Sequence, residues 1–205
     1  MHISEGILSA PILAGGAALS LAGCAIGLKK MDYDRIMSVA MFGSAFFVAS
    51  LIHVPAGIGS VHLLLGGLMG LILGWSAFPA ILTALLLQTI FFQYGGLLVL
   101  GINGINIAGP AVLCGYLFRS TVLKNSKGLL IGSFCSGFLA MGLSAIGMAL
   151  SLWLSDQNFF KTAAVLVVGH LPMMIIEGLI TMAVVRFLAK VQPDILTFST
   201  SMKSR

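Results

Sequence analysis

The chain begins MHISEG, with a histidine second and a glutamate fifth. A free α-amine on Met1, the His2 amide nitrogen and His2 Nδ1 can grip one metal ion together. Amine and amide close a five-membered ring through the metal, and amide and imidazole close a six-membered one. The three nitrogens share a plane and leave one equatorial position for another imidazole. Square-planar nitrogen coordination is what Ni(II) and Cu(II) prefer. Only strongly polarising ions of that kind displace an amide proton near neutral pH. Met1 is expected to be retained, because the aminopeptidases that trim methionine want a small second residue and histidine is large. A histidine at position two of an arbitrary chain is nearly always incidental, so this one needs a partner.

Two histidines compete for the fourth position. His53 ends an apolar run and precedes Val-Pro, as an interfacial histidine closing a helix does. His62 follows the Gly/Ser-rich stretch of HVPAGIGSVH and opens the next apolar run. It is favoured, since a ligand there stands at the mouth of a helix bundle. The fourth histidine, His170, shares GHLPMMIIEG with Glu177. Seven residues make two helical turns, so the two face one way. Ionisable residues inside an apolar span are costly and often functional; this pair reads equally as a structural polar contact or as a route for coupling or ion passage. Pro172 is expected to kink the helix that carries them. Glu5, His53, Gln93, Asn103 and Asn106 are the polar residues placed to orient the terminus from behind its ligands.

The elements that must position these groups are membrane helices. Of 205 residues 59% are hydrophobic and 8% charged, against about a quarter charged in soluble domains. Seven apolar segments emerge at roughly 8–28, 35–53, 62–75, 77–93, 104–121, 127–154 and 160–190. The third ends at the turn GWSAFP, and third and fourth together read alternatively as one broken helix. QYGGLLVLGINGIN, rich in glycine and asparagine, reads as a non-helical segment folding back into the bundle. Ten of the eleven Lys and Arg fall after the first, fifth and seventh segments, and Lys161 alone falls opposite. Cytoplasmic loops attract such residues. The expectation is an all-α polytopic protein of seven transmembrane helices, N-terminus outside and C-terminus cytoplasmic. Residues 1–205 then form one integral membrane domain, with 1–9 an external metal-binding segment and 191–205 a cytoplasmic tail.

The same features exclude other classes. The net charge of +5 is accounted for by the loop lysines and arginines, and no nucleic acid is implied. No P-loop, HExxH or pair of intramembrane aspartates occurs, so neither ATP hydrolysis nor proteolysis by those means is available. The chain reads as a non-enzyme without a resident cofactor. Cys24, Cys114 and Cys135 sit in apolar runs at no ligand spacing and read as packing residues. A self-sufficient secondary carrier or channel is the alternative; it would need ionisable residues along a path, and only His170 and Glu177 qualify.

MHISEG, SVHLLLGG, LLLQTIFFQYGG, GINGINIAGP and HLPMMIIEG occur in that order between about residues 1 and 190. The ordered set resembles the CbiM/NikM family, the substrate-binding membrane subunits of energy-coupling factor transporters for cobalt and nickel. The resemblance implies a seven-helix fold with an external N-terminus tucked into the bundle. It implies a metal held by the Met1 amine, the His2 amide and imidazole, and His62, which decides between His62 and His53. It implies a transmembrane coupling subunit, two cytoplasmic ATPase subunits and a small accessory membrane subunit as partners, in a prokaryotic plasma (inner) membrane. The chain departs from the pattern in three places. Leu63–Leu65 stand where many cobalt members have Pro-Thr-Gly, Gln93 and Tyr94 stand where an acidic residue precedes GG, and GIN replaces GAN. The sequence leaves cobalt and nickel open, and with them supply to cobalamin synthesis or to a nickel enzyme.

Overall fold

In a bilayer every backbone N–H and C=O must be paired within the protein, so long apolar runs fold as helices. The computed structural model describes residues 3–56 and 59–196, with the backbone alone at 53–56 and 59–61. The helices are α1 (Ala10–Lys29), α2 (Ile36–Ala49), α3 (Gly66–Leu73), α4 (Ala77–Phe92), α5 (Leu100–Val122), α6 (Ser126–Ser155), α7 (Phe160–Gly169) and α8 (Leu171–Val191). Between α2 and α3 runs a hairpin of two antiparallel strands, β1 (His53–Ala56) and β2 (Gly59–His62). Its register sets His53 opposite His62 and Pro55 opposite Ser60. Pro55 is tolerated because a two-stranded ribbon has only edge strands. The hairpin falls within HVPAGIGSVH, which the sequence reads as a loop; the other elements among the described residues are helices, in line with the all-α expectation.

Among the described residues five segments are long and apolar enough to cross a membrane: Ala10–Lys29, Gly66–Phe92, Leu100–Val122, Ser126–Ser155 and Gln157–Val191. The fourteen residues of α2 and the eight of α3 fall short of the ~20 that a straight span requires. The third expected span is therefore the first half of a broken unit. α3 turns at Gly74 (φ 54°) through Gly74–Ser76 into α4. The last span is broken too. α7 ends at Gly169, His170 is the junction, and Pro172 sits in the first turn of α8, where its missing N–H costs no hydrogen bond.

α5 is the hub, packed against α1, α3, α4 and α6; α6 in turn carries α7 and α8. α3 is buried along its whole length, and bare backbone makes that burial fit. A Cβ on Gly70 would overlap the Ala111 carbonyl of α5, and one on Gly67 would overlap the Gly137 backbone of α6. Small residues let helices approach this closely when no hydrophobic force gathers them in lipid.

The GINGIN segment is helical, contrary to the expected fold-back. The chain leaves helix only over Gln93–Val99, and Gly101 to Asn106 form the first turns of α5. Its glycines serve contact rather than turning. A Cβ on Gly101 would stand 2.5 Å from Ala17 Cα of α1, and one on Gly104 2.8 Å from Ser20 Oγ. Ser20 Oγ donates to the Gly101 carbonyl at 2.6 Å, which seals the α1–α5 contact. At the other end Ile195 and Leu196 are buried, and Arg119 Nη2 of α5 donates to the Leu196 carbonyl at 3.1 Å. The remaining expected tail, 197–205, lies outside the described residues.

Candidate metal centre

The N-terminal segment is laid into the bundle by backbone hydrogen bonds to side chains. Ile3 is buried. Its N–H donates to Asn103 Oδ1 at 3.1 Å, and its carbonyl accepts from Asn103 Nδ2 at 3.2 Å. One primary amide on α5 thus satisfies both polar groups of Ile3, as a neighbouring strand would. Glu5 Oε1 accepts from the Leu98 N–H at 3.0 Å, and Gly96 (φ 141°) passes so near the Glu5 side chain that a Cβ there would overlap it. Leu8 is buried. The Ser9 N–H donates to Ser155 Oγ, near the end of α6, at 3.2 Å, and the Ser9 carbonyl accepts from Ile12 and Leu13 to begin α1. Residues 3–9 are therefore held at three places by α5, the Gln93–Val99 connection and α6. Met1 and His2, the first two expected ligands, precede this anchor and lie outside the described residues.

His62 ends β2 and is fully buried. Its Nδ1 lies 3.3 Å from the Leu63 carbonyl. With the proton on Nδ1, donated to that carbonyl, the lone pair is on Nε2, the tautomer a metal ligand needs. Beyond His62 the chain passes Leu63, Leu64 and Leu65 before α3 begins. Leu65 adopts a left-handed conformation (φ 50°, ψ 24°). Glu177 Oε1 accepts from the N–H groups of Leu64 and Leu65, the latter at 2.9 Å. Ile3, Leu64 and Leu65 belong to one continuous core.

The other sequence-selected residues divide clearly. Asn106, one turn after Asn103, donates from Nδ2 to Ser151 Oγ of α6 at 3.1 Å. Pro110 cannot donate to the Asn106 carbonyl, so the helix ladder is interrupted beside it. His53 pairs with His62 by register; its side chain is outside the described set. Gln93 is exposed and closes α4 in a left-handed conformation (φ 57°). Among the described residues its side chain makes no hydrogen bond to the N-terminal segment. His170 is buried, with Nδ1 2.6 Å from the Leu166 carbonyl. His170 and Glu177 share the buried stripe of α8 with Met173, Met174 and Thr181, but no hydrogen bond joins them among the described residues.

Sequence reasoning missed three contributors. Ser151 and Ser155, one turn apart on α6, support Asn106 and the Ser9 backbone. Gln88 is fully buried; its Nε2 bonds Ser50 Oγ and the Phe47 carbonyl, tying α4 to the end of α2. The signal for Gln88 was a lone amide within LLLQTIFF. Nothing in an apolar, serine-containing helix distinguishes Ser151 or Ser155. Among the described residues no three histidine, cysteine, aspartate or glutamate side chains converge as a metal cluster.

Residues 2–195 match a family described as the cobalt uptake substrate-specific transmembrane region, CbiM. A Haemophilus influenzae protein named for metal transport is 43% identical over 199 residues, covering 96% of this chain and 97% of its own. The cobalt transport protein CbiM of Sorangium cellulosum is 29% identical, over 96% of this chain and 94% of its own. An Archaeoglobus fulgidus protein named as a fused nickel transport protein, NikMN, is 27% identical over 96% of this chain and 68% of its own. The crystal structure of a transition metal transporter superposes with a TM-score of 0.81 at 26% identity, covering 100% of both chains.

Proposed function

From the premise that the chain belongs to the CbiM family of cobalt and nickel transport membrane proteins, we propose that it is the metal-capturing subunit of an ATP-driven energy-coupling factor transporter. The Met1 amine, the His2 amide and imidazole, and the His62 imidazole are the four nitrogen donors for an incoming Ni2+ or Co2+. The observation that carries this reading is the two-way bonding of Ile3 by Asn103. It fixes the backbone one residue after His2, so a chelate formed by the first two residues starts from a defined place. In this reading the N-terminus is outside and the tail with its arginines and lysines inside, supported by the clustering of ten of the eleven Lys and Arg after the first, fifth and seventh apolar segments. A coupling subunit, two ATPases and a small accessory membrane subunit supply the work.

Capture exchanges hydration waters for nitrogen and releases protons from the amine, amide and imidazoles. Affinity therefore falls as pH falls, measurable by Ni2+ titration from alkaline to mildly acidic buffer. Mg2+ and Ca2+ prefer oxygen ligands and gain little from this set. The decisive test adds one residue before Met1. The extended chain retains every side chain and displaces only the amine and the register of His2. Ni2+ binding is expected to drop at least about a hundredfold, the scale on which metal sites respond to loss of a supporting group. Unchanged affinity ends the chelate reading. Uptake by the isolated chain in proteoliposomes without ATPase partners would favour a self-sufficient carrier instead.

A further inference from the structure

Of the six acidic residues, Glu177 alone is buried, with no exposure to solvent. It lies where three helices meet: a Cβ on Gly137 of α6 would overlap the Glu177 backbone of α8, and a Cβ on Gly67 of α3 would overlap Gly137. Its Oε1 takes the two amides that follow His62 by two and three residues. Those amides stand at the start of α3, where a helix leaves donors without partners in its own ladder and carries partial positive charge. Leu64 and Leu65 have no side-chain oxygen to cap it, and the capping carboxyl oxygen comes from α8 instead. Leu65 is held there in a left-handed conformation that ordinary residues seldom adopt and that persists only where surroundings enforce it.

We propose that Glu177 is the positioning residue for His62. By accepting both amides it sets the turn between β2 and α3, and that turn presents the imidazole to the incoming ion. This inference rests on His62 being a ligand. It gives the Glu of HLPMMIIEG a task, and it makes the last long helix a supporting wall of the site.

The test is Ni2+ titration of the full chain carrying Glu177→Leu, Glu177→Gln, His62→Ala, and Glu177→Leu with His62→Ala. Glu177→Leu removes the acceptor and is expected to weaken binding about 10- to 100-fold, as changes behind a metal ligand do. Glu177→Gln keeps a carbonyl oxygen for the two amides and is expected to stay within about threefold of the parent, since neutral acceptors still satisfy backbone donors. If Glu177 acts through His62, the double variant binds no more weakly than His62→Ala alone. Parental affinity in Glu177→Leu, or losses that multiply in the double variant, overturns the proposal. Parental affinity in His62→Ala instead overturns the ligand reading beneath it. Hydrogen exchange on the parent chain keeps the question answerable if Glu177→Leu does not fold. The Leu64 and Leu65 amides are expected to exchange slowly before metal is added, and exchange at the rate of an unbonded segment overturns the proposal.

Discussion

Two short connections prepare the two sides of the candidate centre, and they are held by different chemistry. Residues 3–9 lead into α1 and are fixed by a neutral amide, Asn103, with Glu5 and Ser155 at the margins. Residues 63–65 lead into α3 and are fixed by the buried carboxyl group of Glu177 from α8. A hydrogen bond contributes about 0.5–1.5 kcal/mol net. The N-terminal connection is built from several separate hydrogen bonds, with those of Asn103 at its buried end. The His62 connection depends on one buried carboxyl oxygen that accepts from two amides at once. α1 turns only Gly16, Ser20, Gly23 and Gly27 fully inward, whereas α3 is buried on every side. The N-terminal segment is thus clasped at the margin of the bundle, and the His62 connection is walled in at its centre.

The most disruptive way to break this contrast is Gly70→Ala. Its Cβ overlaps the Ala111 carbonyl, and overpacking of this kind costs about 1–3 kcal/mol or more. A clear drop in melting temperature in detergent is expected, with metal binding lost as α3 and the His62 turn shift. Asn103→Ala strikes the softer side. It leaves the Ile3 N–H and carbonyl without their partner, at a cost of about 2 kcal/mol in all. Ni2+ affinity is then expected to fall roughly thirtyfold with little change in melting temperature. Asn103→Asp, which keeps the acceptor for the Ile3 N–H and loses the donor to its carbonyl, is expected to fall between. Gly96→Ala forces the Glu5 side chain away from Leu98 and is expected to weaken Ni2+ binding by less than about tenfold, since one exposed hydrogen bond is at stake. Gln93→Ala is expected to change neither property beyond about 0.5 kcal/mol, as is usual for an exposed surface side chain. A large effect of Gln93→Ala, or none of Asn103→Ala, would place the anchor of the terminus elsewhere.

Run length and apolar content located the helical segments within a few residues, because lipid permits little besides helix. What they hid were interruptions inside apolar runs. GGLMGLILGWSAFP has the hydrophobicity of a continuous span, and only its glycines hint that α3 stops at Leu73 and restarts as α4. GINGIN misled in the opposite direction. Glycine and asparagine mark turns in water, but in a bundle Gly101 and Gly104 admit neighbouring helices while Asn103 and Asn106 reach the Ile3 backbone and Ser151. The hairpin was hidden because His53–His62 has too few residues for a strand periodicity to emerge. At the candidate site, Glu177 stood out as an acid in an apolar helix, but its partners are backbone amides, which every residue possesses and no pattern reveals. The left-handed Leu65 is equally silent, one leucine among three.

The separation in chain order between partners has its own consequence. Glu177 follows Leu64 by 113 residues, and Asn103 follows Ile3 by 100. During synthesis the first helices leave the ribosome long before either clasp exists. The Ile3 clasp can close once α5 is in place, about halfway through the chain, whereas the turn after His62 stays unclasped until α8, the last long helix, has been inserted.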